Sequence, residues 1–193
     1  MAQVFRLTGG KAAGLPAAYF PSQEALRKLV EENLDALLGL VYLESNFELV
    51  DLPPEAPREC RAVDTLAFDR STYAPVVIEY RERISPEMVA QGGAMLQAIP
   101  TQSQVLRWLI KRAGFAPERI EWGKMRVLFL AREARAPAPI LSKARQGGVE
   151  LWQCALFTGD VVLLDHLATF AAPDARPGAA ARADPAPRPS AAA

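Results

Sequence analysis

The sequence predicts an α/β fold in which helices flank a mixed β-sheet. Three observations predict it. Apolar spacing switches between helical and strand periods along the 193 residues. Two pairs of strand-like runs are joined by connections short enough for antiparallel pairing. Helical segments intervene between the later strands, so helices alternate with strands instead of forming a separate block.

The elements follow in order. QVFRL, then TGGK, reads as a strand entering a Gly-Gly turn, and AAGL pairs back as a hairpin. SQEALRKLVEENLDALLG carries Leu26, Leu29, Val30, Leu34, Leu37 and Leu38 at helical spacing, with Ser22 as cap and Gly39 as stop. LVYLESNFELV is a strand and DLPPEAPREC a proline-rich loop. RAVDTLAFD and PVVIEYRER flank RSTYA and form an antiparallel pair. Ser85, Pro86 and Glu87 predict a helix start, with Ser85 as cap and Pro86 at the first helical position, running to about Ile99. TQSQVLRWLIKRAG is a second helix ending on Gly114, MRVLFLARE a central strand, and APILSKARQGG a short helix. VELWQCALF, TGD and VVLLDHL close the fold as a hairpin. Residues 1–170 are expected to form one domain. The Ala/Pro-rich stretch 171–193 has no large apolar residue to bury and is expected to be a disordered tail.

Composition excludes several classes. Half the residues are hydrophobic and 23% charged, and no apolar run approaches the roughly 20 residues that span a bilayer. The N-terminus lacks the basic lead and apolar block of a signal peptide, and Cys60 and Cys154 are too few for a disulfide framework, so a cytoplasmic address is expected. Formal net charge is zero, yet residues 20–95 hold 14 acids to 7 bases and residues 107–145 hold 10 bases to 3 acids. That asymmetry suits a metal centre beside a phosphate-binding surface, and alternating solvated faces produce it too.

Chemistry concentrates in VVIEYRER. Alternation puts Val77, Glu79 and Arg81 on one side of the strand and Val76, Ile78 and Tyr80 on the other. Asp64 lies among apolar residues on the partner strand. Two carboxylates in a core want a cation between them, and either Arg81 or a metal could serve.

An acid on one strand followed by a hydrophobic strand ending E-x-K resembles the PD-(D/E)XK, restriction-endonuclease-like nucleases; VDTLAFD and VVIEYR are similar to bacterial members reading DTLxxD and VIIEYK. LVEENLDALLG resembles that family's first helix, with Glu31 facing the centre, and MVAQGGAML its NQGLFYL helix, with Gln91. The resemblance spans roughly residues 1–167. It implies a restriction-endonuclease-like core and a hydrolase that cuts phosphodiester bonds of DNA or RNA with Mg²⁺ or Mn²⁺. Asp64 and Glu79 would ligate the metal with the Tyr80 carbonyl, Glu31 would bind it directly or through water, and Gln91 would orient water or substrate. Arg107, Lys111 and Arg112, in the basic segment, would hold the phosphate backbone. Many nucleases of this type act as homodimers, although no interface stripe stands out here.

Arg81 departs from the family, which has Lys at this position. Arginine stays protonated and cannot act as a base. Four readings stay open: a slower working enzyme, Lys28 swinging in as a substitute, a degenerate site that binds nucleic acid or a protein without cutting, and a buried ion-pair cluster in which Arg81 merely neutralises Asp64 and Glu79. Other candidates have plainer readings. Glu32 is a solvated helix residue, His166 a polar strand end, and at least two of Trp108, Trp122 and Trp152 core residues. TGGKAAG lacks the spacing of a phosphate loop, and the cysteines lack that of a zinc site.

Overall fold

A computed structural model describes residues 3–50, 61–133 and 148–170. The chain runs β1 (Phe5–Thr8), β2 (Lys11–Gly14), β3 (Ala17–Ala18), α1 (Gln23–Glu32), α2 (Leu34–Leu38), β4 (Leu40–Glu48), β5 (Ala62–Asp69), β6 (Ala74–Arg83), α3 (Glu87–Ala98), α4 (Ser103–Arg112), β7 (Arg126–Glu133), β8 (Val149–Phe157) and β9 (Val161–Phe170). The expected α/β class with a mixed sheet is what the structure has. Seven strands form it: β4, β5 and β6 pair antiparallel in that order, β6–β7 and β7–β8 are parallel, β9 runs antiparallel along β8, and β3 pairs with the end of β8.

The N-terminal hairpin is as the sequence reads. Thr8 faces Lys11 across Gly9 and Gly10, whose φ values of 58° and 77° suit the turn that twists with its strands. The proline-rich loop, Cys60, the segment 138–147 expected to form a helix, and the tail 171–193 lie outside the described residues.

Two differences concern helix ends. The predicted helix 22–39 is broken at Asn33: its side-chain amide donates to the Leu29 carbonyl at 2.8 Å and its backbone N–H to Val30 O at 3.2 Å, closing α1 before α2 begins. Ser22 does cap α1, its hydroxyl accepting from Ala25 N at 3.0 Å. Ser85 does not cap α3. Pro86 takes the cap position in helical conformation, with no side-chain cap hydrogen bond.

Each face of the sheet is covered. Leu26 and Val30 of α1, with Leu34 of α2, pack on Ala67, Ile78, Tyr80, Leu128 and Leu130. Met95 of α3, with Leu106, Leu109 and Ile110 of α4, packs on the opposite face with Leu66, Phe68, Val77 and Phe129. Burying side chains of this size gives roughly 1.5–3 kcal/mol each, which commits both helix pairs to the sheet. A Cβ on Gly92 would stand 2.7 Å from Val149 Cγ2 and 3.1 Å from Phe129 Cε2, so a glycine there lets α3 lie close on β7 and β8. No helix among the described residues is long and apolar enough to cross a membrane.

Candidate cation-binding carboxylate site

β5 and β6 pair regularly from Asp69–Ala74 to Thr65–Ile78, and there the register ends. Beyond it the strands are joined by side chains. The Asp64 amide donates to Glu79 Oε1 at 3.1 Å, and the Tyr80 amide donates to Asp64 Oδ2 at 2.9 Å. Each carboxylate thus satisfies a backbone donor of the other strand, and each keeps lone pairs to spare.

Arg81 uses those lone pairs. Its Nη2 donates to Glu79 Oε2 at 2.7 Å and its Nη1 to the Tyr80 carbonyl at 2.8 Å, with Asp64 Oδ2 3.5 Å away. Its guanidinium carbon lies 5.8 Å from the Phe129 ring centre. One guanidinium therefore reaches all three oxygens that the resemblance assigns to a metal. The Glu79 side chain is 3% exposed, that of Asp64 27% and that of Arg81 25%. Burial, reinforced by the charge of Asp64, raises the Glu79 carboxyl to about 7 in spite of the opposing pull of Arg81.

Glu31 is engaged by hydroxyl groups. Its Oε1 accepts 2.6 Å hydrogen bonds from both Ser45 and Thr65, and Thr65 lies 3.2 Å from the Tyr80 hydroxyl on the α1 side of the sheet. Among the described residues no group of three or more His, Cys, Asp or Glu side chains is arranged to hold a metal ion. The Ser45–Glu31–Thr65–Tyr80 network was missed in the sequence; Thr65, a polar residue between Asp64 and Leu66 whose register partner is Ile78, two residues before Tyr80, was its available signal. Gln91 is half-buried on α3, two residues past the buried Val89. Lys28 is exposed, its Nζ 3.9 Å from Glu32 Oε1.

Arg107, Lys111 and Arg112 are exposed on α4. Arg107 donates to the Pro117 carbonyl at 2.7 Å, and Arg112 pairs with Glu44 at 3.2 Å while lying 4.6 Å from the centre of the Trp108 ring. Trp108 is exposed, whereas Trp122 and Trp152 pack against the two cores. Three further bases of the same segment are held in ion pairs: Lys124 with Glu121, Arg126 with Asp69 and Glu150, and Arg132 with Glu82. Cys154 is buried and its thiol is pushed up to about 12 by burial. His166 lies on β9 with its ring 4.7 Å from that of Trp152.

The donor set is chemically suited to a hard divalent cation. Mg²⁺ commonly takes one or two carboxylates and keeps several waters, and here two carboxylates and a carbonyl converge on a place filled by a cationic group of the chain itself. A metal fits only where the guanidinium gives way.

No family model matches the chain. A Haemophilus influenzae protein described as uncharacterized is 24% identical over 171 residues, covering 84% of this chain and 52% of that protein. The chain thus spans about half the length of this curated relative. Among solved structures, Pyrococcus furiosus SfsA in complex with Ca²⁺ aligns over 88% of this chain and 77% of that one, at 10% identity and a TM-score of 0.35.

Proposed function

We propose that the chain is a nuclease that hydrolyses phosphodiester bonds of nucleic acid, DNA in the first instance, with Mg²⁺ or Mn²⁺ held by Asp64, Glu79 and the Tyr80 carbonyl. One observation carries the reading: three hard oxygens converge on a single space that already demands a positive charge. A divalent ion bound there would make hydroxide available near neutral pH and neutralise charge gathering on the phosphate. Arg81, always protonated, takes no proton from water. Turned outward on its long stem, its planar fork suits two parallel hydrogen bonds to phosphate oxygens. Glu31 would act on the ion through water, Gln91 would orient the substrate, and Arg107, Lys111 and Arg112 would grip the backbone without choosing a sequence. A homodimer would present two such centres to two strands.

A second reading is favoured by the completeness of the Arg81 contacts. Here the guanidinium itself is the resident cation, and the chain binds nucleic acid or a protein partner without cutting. Plasmid DNA with Mn²⁺ separates the two. The hydrolase reading expects nicking by the wild type and by Arg81→Lys, and none by Asp64→Asn. If both former proteins leave the plasmid intact over long incubation and Mn²⁺ leaves their melting temperature unmoved, the sealed site stands in its place.

A further inference from the structure

At the far end of β6 from Arg81, the β5–β6 turn and the segment 116–124 enclose a solvent-open hollow of about 550 Å³, walled by Arg70, Ser71, Thr72, Tyr73, Arg119 and Lys124. Six residues of extended strand separate Tyr73 from Glu79, roughly 20 Å, so this is a different place from the carboxylates. Three cationic groups face one acid, Glu121, across it.

The frame is stiff. Asp69 Oδ1 accepts from Ser71 N at 2.8 Å, Ser71 Oγ at 2.6 Å and Thr72 N at 3.2 Å. Burial alone would raise the Asp69 carboxyl, but these hydrogen bonds hold it below its ordinary value. Tyr73 adopts φ 60°, a left-handed conformation that is rare for an aromatic residue and costs on the order of 1–3 kcal/mol. It is held there from both sides: its carbonyl accepts from Glu121 N at 2.9 Å and its hydroxyl from Ala116 N at 3.0 Å. Those bonds bracket Arg119, whose guanidinium carbon lies 4.4 Å from the centre of the Tyr73 ring. The guanidinium lies over the ring, and among the described residues no carboxylate forms an ion pair with it. Arg70 is paired with Asp35, and Lys124 lies 3.8 Å from Glu121. Both pairs are exposed and worth little, so either cation can turn to a ligand.

We propose that this hollow binds a phosphate group, with Arg119 as the fixed contact and Lys124 and Arg70 closing on it. Its size suits a nucleotide-sized ligand, and preorganised cationic donors are the usual means of holding phosphate. The phosphate comes either from a free nucleotide or from a nucleic-acid backbone.

Calorimetric titration of the full chain with inorganic phosphate, adenosine monophosphate and a 12-base-pair DNA duplex tests it. Binding of any of the three should weaken about tenfold in Arg119→Gln and in Lys124→Gln, the scale of one charge-assisted hydrogen bond, and should be unmoved in Lys11→Gln on the exposed hairpin. Sensitivity of the mononucleotide titration assigns a free ligand; sensitivity of the duplex alone assigns the backbone. The proposal is overturned if the wild type binds none of the three, or if all three variants weaken binding equally. Mn²⁺-dependent nicking is read separately, so failure here leaves the carboxylate site untouched.

Discussion

Replacing Arg81 with alanine should open the carboxylate site to a divalent ion. In the wild type the ion must first displace two short charge-assisted bonds, at 2.7 Å to Glu79 and 2.8 Å to the Tyr80 carbonyl. Bonds to charged groups are worth roughly 1.5–3 kcal/mol, and the 3.5 Å contact to Asp64 adds little. Because the Arg81 side chain is a quarter exposed, the lower bound applies. Two bonds then give about 3 kcal/mol, or roughly a hundredfold in affinity. Mn²⁺ titration followed by electron paramagnetic resonance should show Arg81→Ala binding about a hundredfold more tightly than the wild type. Without metal the variant should melt earlier, since buried Glu79 loses its counter-charge, and Mn²⁺ should restore the loss. Equal Mn²⁺ affinities in the two proteins would refute the claim that guanidinium and metal compete for one place.

Other perturbations read different parts of the structure. Glu79 has a folded value of about 7 against an ordinary 4.5, so its contribution to stability is fully present below about 4.5 and is lost as pH rises through 7. At 1.36 kcal/mol per unit the loss is about 3 kcal/mol. Urea unfolding of wild type and Glu79→Gln should therefore diverge by that amount between pH 4 and 8, and parallel curves would count against the raised value. Gly92→Ala forces a methyl to 2.7 Å from Val149 Cγ2 and should cost about 1–3 kcal/mol in the same assay. Thr65→Val removes the hydroxyl between Glu31 and Tyr80 and should cost about 1–3 kcal/mol while shifting Mn²⁺ affinity by less than about tenfold, because Glu31 acts on the ion only through water. A parallel loss of Mn²⁺ affinity would place Glu31 at the cation instead.

Strand alternation made the central chemistry legible. Glu79 and Arg81 on one side of β6, with Asp64 on its neighbour, follow from period two alone, and the structure joins all three. The sharing of Tyr80 N–H and C=O between Asp64 and Arg81 was not legible, because it depends on the β5–β6 register ending at Thr65. Glu31 was singled out by the family resemblance alone, which says nothing of the hydroxyls of Ser45 and Thr65 that donate to its carboxylate. Asn33 sat inside an unbroken leucine pattern, so periodicity ran through a helix end that only its side-chain bond reveals. β3 has two alanines and no β-branched residue, hence no signal at all.

The crossed bonds between Asp64 and Tyr80 and between Asp64 and Glu79 bear on how inactive variants are to be interpreted. Truncating Asp64 to alanine would leave a main-chain N–H orphaned and let two neighbouring ribbons part, so silence from such a protein would confuse lost chemistry with lost architecture. Asparagine keeps an oxygen for that N–H while discarding the charge, and is the substitution that separates the two causes.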